Sequence, residues 1–385
     1  MNGQALINDG RKFRIEHKPL KDIASGGEGK VSLWKNKSTG RLIAVKEPLM
    51  DHPGIKKSLK EEIASMKKLG QHPHIVGFLG AAGDWGKLSP AIFYVFCELG
   101  CVHDYTERLL KGGISIPEVT IWKFILDMTK GLDYLHNGFD VPYVHGDLKP
   151  GNILVSRSPG DDATLPIMPT FKLADISHLT PYIASSRIYQ PFRGTWEYAP
   201  PASERTRLIP PIDIWAIGSS LQTLAWGIIP VKSMQATKRK LRARGYNPTD
   251  KQIRDLRNHG DYRSTQLPFV WRPLNASGEE QLNMYDMDNE FPPYSDALNY
   301  WYAMCLNENP KARVTAKILK ECYIPLAEHQ IKMYAARERR DSAIKKFVGD
   351  SSKGRKTVEG KDCASEEQGW PSEESRCGKE GSIVR

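Results

Sequence analysis

His145-Gly146-Asp147-Leu148-Lys149-Pro150-Gly151-Asn152-Ile153-Leu154 is the most telling run of residues in this 385-residue chain. It sets a carboxylate, a cation two residues on and an amide five residues on within one short loop anchored by His145 and Leu154. Such spacing suits chemistry in which a carboxylate accepts the hydrogen of an attacking hydroxyl while a nearby amide holds a metal, because one rigid loop must carry both.

Further segments fall on either side of this loop. Upstream lies the glycine-rich Ile23-Ala24-Ser25-Gly26-Gly27-Glu28-Gly29-Lys30-Val31, then the apolar run Ile43-Ala44-Val45-Lys46. A helix is expected from about Gly54 to Leu69, where Ile55, Leu59, Ile63, Met66 and Leu69 recur at helical spacing and Glu62 sits among them. Downstream come Phe171-Lys172-Leu173-Ala174-Asp175-Ile176-Ser177, Asp213-Ile214-Trp215-Ala216-Ile217-Gly218 and Asn309-Pro310-Lys311-Ala312-Arg313. Each has a plain structural reading when taken alone. A Lys ending a strand is exposed, Glu62 beside Glu61 is a surface carboxylate, the glycines form a flexible turn, and Asp104 caps a helix. Their order is what decides.

In that order the segments resemble the eukaryotic protein kinases, and the resemblance runs from about Phe13 to Glu328. It implies an α+β, two-lobed fold: a small antiparallel sheet lobe with one helix over 13–99, and a larger, mainly helical lobe over 100–328. It also implies ATP and Mg²⁺ as cofactors, and protein substrates with Ser or Thr acceptors. Asp147 would be the catalytic base, Lys149 would neutralise developing charge, and Asn152 and Asp175 would hold metal. Lys46 would grip the α- and β-phosphates with Glu62 as its partner. Ile23 and Ala24 open the ATP loop, which fits the family pattern only with Ala24 in the first glycine position. Gly26 and Gly29 would let backbone N–H groups approach the phosphates. Val31 and Ala44 would cover adenine from above and Leu154 from below. Cys97, Glu98 and Leu99 would form the hinge, with Phe96 as gatekeeper, and Asp104 would meet the ribose.

Lys149, together with Gly194-Thr195 before Tyr198-Ala199-Pro200, matches serine/threonine rather than tyrosine kinases. Trp196-Glu197-Tyr198-Ala199-Pro200-Pro201 is similar to divergent fungal kinases. Four departures stand out. Gly146 replaces the arginine of the family's H-R-D, and Ile176-Ser177 replace the Phe-Gly of D-F-G. Pro201 takes the place of the A-P-E glutamate, which strips Arg313 of its expected partner unless Glu204 substitutes. The stretch from about Lys232 to Asp296 is longer and more basic than a minimal kinase lobe needs, and its role is not read from the sequence.

Composition narrows the rest. Apolar residues make up 40% and charged residues 26%, as in an ordinary globular protein. The six cysteines form no C-x-x-C, so neither a disulfide scaffold nor a zinc site is expected, and a reducing, cytoplasmic or nuclear setting is. Met1 to Ala5 show no secretory signal, and Asn2 occupies the place a myristoylated glycine would need. Ile214 to Val231 lack charge over about the length of a membrane span, but Ser219, Ser220, Gln222, Thr223 and Pro230 argue for a buried core helix, and no membrane association is expected. The net charge of +10 points to acidic partners. Lys238, Arg239, Lys240, Arg242 and Arg244 form its densest run, read as a solvated helix face, since no aromatic is interleaved for base stacking apart from Tyr246 at its edge.

A further helix is expected over 329–348 and a disordered tail over 349–385, while residues 1–12 are read as an N-terminal extension. Two rival functions are weighed against a kinase. A catalytically weak pseudokinase scaffold would usually lack Lys46, Asp147 or Asp175, and all three are present. A nucleic-acid-binding adaptor would rest on the 238–244 run alone, and nucleic acid is not expected as a partner.

Overall fold

In the computed structural model, described for residues 6–27, 29–187, 189–232, 234–258, 269–285 and 287–353, the chain opens with helix α1 (Gly10–Glu16). Strands β1 (His17–Ser25), β2 (Gly29–Asn36) and β3 (Leu42–Pro48), helix α2 (Pro53–Leu69), and strands β4 (Phe78–Ala82) and β5 (Ala91–Val95) follow. The five strands form one antiparallel sheet in the order β1-β2-β3-β5-β4. The β2–β3 turn is built by Asn36, whose side-chain oxygen accepts the N–H groups of Ser38 at 3.0 Å and Thr39 at 2.9 Å, while Gly40 takes φ +72°.

Two elements of this lobe have no periodic signal. Strand β1 exposes every residue after His17, so it shows no apolar alternation. Helix α1 is short, capped by Asp9 on Lys12 N–H, and anchored by one buried ring. That ring, Phe13, packs against Phe93 at 4.4 Å and Trp34 at 5.6 Å between centroids. The preceding residues join the same lobe, since Ile7 N–H bonds to Leu79 O and Asp84 accepts the Gly10 and Arg11 N–H groups.

The second lobe is mainly helical, with α3 (Val102–Lys111), α4 (Glu118–Asn137) and α5 (Pro211–Trp226) at its centre. Every residue of α5 from Ile212 to Trp226 is buried, which explains the uncharged stretch. No described helix is long and apolar enough to cross a membrane. Short strands β6 (Tyr143–Val144), β7 (Ile153–Ser156), β8 (Thr170–Leu173) and β9 (Thr180–Pro181) pair as β6–β9 and β7–β8. The two lobes make the two-lobed α+β kinase fold that the sequence resemblance implied.

The basic stretch forms helices α6 (Met234–Arg242) and α7 (Asp250–Asn258), joined by an ion pair of Lys238 with Asp250 at 2.7 Å. Arg239, Arg242 and Arg244 are exposed. Further along the same stretch, Arg272 is buried and bonds Gln222 of α5 at 2.6 Å. The last helix spans Ile324–Lys353, wider at both ends than the 329–348 expected, and residues from Ala336 on form a unit of their own. Most of the expected disordered tail, residues 354–385, lies outside the described residues, as does Glu28 of the glycine-rich loop.

Candidate active site

The loop that opened the sequence reading is held from below by one carboxylate. Asp213, in the first turn of α5 and fully buried, accepts His145 N–H at 2.8 Å and Gly146 N–H at 3.0 Å, and pairs with His136 Nε2 at 2.9 Å. A buried carboxylate must be satisfied in this way. The bonds pin the loop backbone to the core helix. Gly146 stands at φ +81°, and a Cβ there would sit 3.3 Å from Leu208 Cδ2. Glycine in the arginine's place adopts that left-handed conformation without strain.

Asp147 is saturated with donors. Its Oδ1 accepts the Thr195 N–H at 2.7 Å and hydroxyl at 2.8 Å, and its Oδ2 accepts Lys149 Nζ at 3.0 Å and Asn152 Nδ2 at 3.1 Å. Lys149 also donates to Thr195 Oγ1 at 2.8 Å. Thr195, only a class marker in the sequence, orients the carboxylate in the fold. The available signal was the Gly194-Thr195 pair itself: a Cβ on Gly194 would meet Gly146 O at 2.5 Å, so the backbones touch.

The β7–β8 register explains how Asn152 and Asp175 meet from distant parts of the chain. Ile153 pairs with Leu173, and Ala174 N–H bonds to Asn152 O at 2.9 Å, which delivers Asp175 beside the loop. Asp175 takes φ 55°, and no other non-glycine residue with positive φ occurs among the described residues. Ser177, in place of the family's glycine, lines the cleft beside Asp175.

Lys46 bridges the two lobes. Its Nζ lies 2.7 Å from Glu62 Oε2 and 3.0 Å from Asp175 Oδ1. Glu62 is buried, not the surface carboxylate of the plain reading, and its other oxygen accepts the Tyr94 hydroxyl at 2.7 Å. Burial alone would lower the Lys46 pKa, but the charges of Glu62 and Asp175 outweigh it and hold the ammonium well above its ordinary range. Burial likewise pushes Asp175 up, and Lys46 overcomes it, bringing the carboxyl down to about 2. For Glu62 burial wins, and its pKa is raised.

These groups face a cleft of about 750 Å³ between the lobes. Ile23, Ala24, Gly26, Gly29, Val31 and Ala44 line it from the sheet, and Cys97, Glu98, Asp104 and Leu154 from the other side. Phe96 lines it as well. Leu99 does not, which corrects its place in the expected hinge surface. Its N–H bonds to Val155 O at 3.1 Å, its carbonyl accepts Arg108, and its side chain is buried in the main core. Asp104 serves both readings. It borders the cleft, and it accepts the Cys101 N–H at 3.1 Å in a capping box that starts α3.

The donor set fits a hard divalent cation. Asp175 is ionised, and Asn152 spends its amide nitrogen on Asp147, which leaves its carbonyl oxygen to offer. A Cβ on Gly29 would stand 3.2 Å from both Glu47 O and Lys46 Cε, so glycine there lets β2 lie close to β3 beside Lys46, the cation that the cleft offers a polyanion.

Comparison with known proteins agrees with this geometry. The family model described as the protein kinase domain matches residues 17–324, most of the chain. The chain is 31% identical over 223 residues to U-box domain-containing protein 34 of Arabidopsis thaliana, which is 54% of this chain and 26% of that protein. It is 30% identical over 214 residues to the dual specificity mitogen-activated protein kinase kinase dSOR1 of Drosophila melanogaster, covering 55% and 49%. With the probable serine/threonine-protein kinase PBL7 of Arabidopsis thaliana it shares 27% over 217 residues, covering 56% and 54%. The chain thus spans about half the length of these relatives, or less.

Proposed function

The chain belongs to the protein kinase family, and from that premise we propose that it transfers the γ-phosphoryl group of ATP to Ser or Thr hydroxyls of protein substrates, with Mg²⁺ bound. The observation that carries this reading is the meeting of Asp147, Lys149 and Asn152 with the Lys46–Glu62–Asp175 chain in one cleft.

In this reading Asp147 orients the acceptor hydroxyl and takes its hydrogen as the oxygen attacks phosphorus and the bond to the β-phosphate oxygen breaks. Lys149 stabilises the negative charge that develops beside it. Lys46, kept cationic by two carboxylates, fixes the phosphates. Asp175 and Asn152 would hold Mg²⁺, which when bound neutralises phosphate charge. The contact of Lys149 with Thr195 supports serine/threonine specificity. The pseudokinase alternative loses its footing because the three side chains such scaffolds usually lack are present and positioned together. A cytoplasmic or nuclear setting belongs to the same proposal, from the cysteine pattern.

The test is to incubate the purified chain with labelled ATP, Mg²⁺ and generic Ser, Thr and Tyr peptides beside Lys46→Met. Transfer to Ser and Thr but not Tyr, lost in the variant, is expected. Intact nucleotide binding without transfer would return the scaffold reading.

A further inference from the structure

The segment that follows the metal aspartate carries a positive surface the phosphoryl transfer itself does not use. Residues 189–196 and 205–208 are zipped by Phe192 N–H to Arg205 O at 2.9 Å and Leu208 N–H to Gln190 O at 2.7 Å. The pair forms a lip at the acceptor position, because Thr195, in the same segment, is bonded to Asp147 through both its N–H and its hydroxyl.

Between positions 187 and 208 the chain has four arginines, Arg187, Arg193, Arg205 and Arg207, against two glutamates, Glu197 and Glu204. Glu204 is turned inward and consumed by Arg313, which leaves Glu197 against the three arginines of the lip, Arg193, Arg205 and Arg207, with Arg187 just before it. Two of the arginines lie on aromatic faces. The Arg207 guanidinium sits 4.2 Å from the Tyr189 ring centroid, and that of Arg205 sits 5.2 Å from Trp196. Stacking fixes the guanidinium plane, and a planar fork recognises carboxylate and phosphate oxygens edge-on. Arg193, two residues before Thr195, is exposed.

The rest of the cleft mouth supplies little to draw a basic peptide. Gly151 has no side chain, Asp104 is turned to the Cys101 cap, and Glu98 accepts the Arg157 N–H at 2.8 Å. Asp22 is paired with Lys30 at 3.0 Å. The charge contrast therefore favours anions beside the acceptor.

We propose that this lip selects substrates carrying an acidic group, carboxylate or phosphate, close to the acceptor Ser or Thr, with Arg193 and Arg207 as specificity determinants. At about 3.3 Å of extended chain per residue, the reach of these side chains sets that distance at roughly three residues or fewer. The inference rests on the kinase reading above and adds the class of substrate.

The experiment uses the full chain, dephosphorylated and checked by mass spectrometry, on arrayed Ser peptides. Each position around the acceptor holds Asp, phosphoserine, Ala or Arg in turn, and kcat/KM is read for each. At one or more positions Asp or phosphoserine should exceed Arg by about tenfold, a discrimination of 1.4 kcal/mol. Comparing those two arms tells a carboxylate reader from a reader of primed substrates. Arg207→Glu should turn the preference toward Arg peptides. Arg193→Glu, at an exposed position where folding is not at stake, should do the same, while Arg193→Lys keeps the acidic preference. Transfer without acidic preference, or a preference that survives both Glu variants, would overturn the inference. Failure to phosphorylate any peptide would instead overturn the kinase reading, and this inference with it.

Discussion

Glu204 receives both terminal nitrogens of Arg313, at 2.6 and 2.9 Å, in an ion pair buried on both sides. Pro201 occupies the family's glutamate position, and the carboxylate has moved three residues along the chain, onto a short helical turn that returns it to the same arginine. Arg313 also donates to Asn307 O and Pro211 O, so this one guanidinium ties the lip, α5 and the late arginine segment together.

Removing the acid should therefore be felt throughout the helical lobe. Glu204→Ala leaves a buried guanidinium without its counter-charge, a loss of about 3–5 kcal/mol. Thermal unfolding should show Tm lowered by roughly 10 °C. An unchanged Tm would mean that the pair does not hold the lobe.

Asp213 gives a second prediction. Its carboxylate holds the His145 and Gly146 N–H groups, so Asp213→Asn keeps the shape but turns one acceptor into a donor that faces them. Turnover should fall on the order of 10²-fold, as for a misplaced reacting group, while KM for ATP changes little. Steady-state kinetics with ATP varied separate the two. A variant that loses only ATP affinity would contradict a positioning role.

Several of these relationships could not be read from sequence, for physical reasons. Asp147, Lys149 and Asn152 share a loop, so spacing alone announces them. Lys46, Glu62 and Asp175 are far apart in the chain, and only their order around that loop suggested a meeting. Glu204 was visible as a candidate, but which carboxylate reaches Arg313 depends on a turn that no periodicity encodes. Leu99 follows Cys97 and Glu98 in sequence yet leaves the cleft, because its N–H joins Val155. Helix α1 was not foreseen because it is short and rests on a single buried aromatic, and β1, nearly all exposed, carries no alternation of its own.

Linkage between Lys46 and Asp175 sets a pH dependence. The Asp175 pKa falls from 3.8 unfolded to about 2 folded, so the unfolded chain binds the proton more readily between those values. Its contribution is present above about pH 4 and is lost as pH falls toward 2. Glu62, raised by burial, acts the opposite way, and more strongly once Lys46 is gone. The stability gap between wild type and Lys46→Met should accordingly shrink between pH 6 and pH 3 in urea titrations. A gap that widens toward acid would contradict the ion-pair assignment.

Gly146 predicts how activity responds to loop phosphorylation. Glycine offers no side-chain donor to clasp a phosphate on Thr180, Ser185, Ser186 or Tyr189, and its φ of +81° disfavours any larger residue. The fully dephosphorylated chain, and a variant lacking those four hydroxyls, should keep their basal turnover. A loss of about tenfold in both, equivalent to 1.4 kcal/mol, would show that Arg187 or Arg193 has taken over the clasp.

In the proposed reaction the role of Asp147 is to serve the acceptor hydroxyl of the phosphoryl transfer. Its most direct test is the rate of labelled phosphoryl transfer from ATP to a Ser peptide by wild type and Asp147→Asn, with circular dichroism confirming that both are folded. Asn fills the same space and keeps hydrogen-bonding capacity but cannot take the proton. Turnover should drop about 10³-fold or more, a barrier increase of roughly 4 kcal/mol, with nucleotide affinity retained. Wild-type turnover in Asp147→Asn would show that Asp147 does not take the acceptor proton.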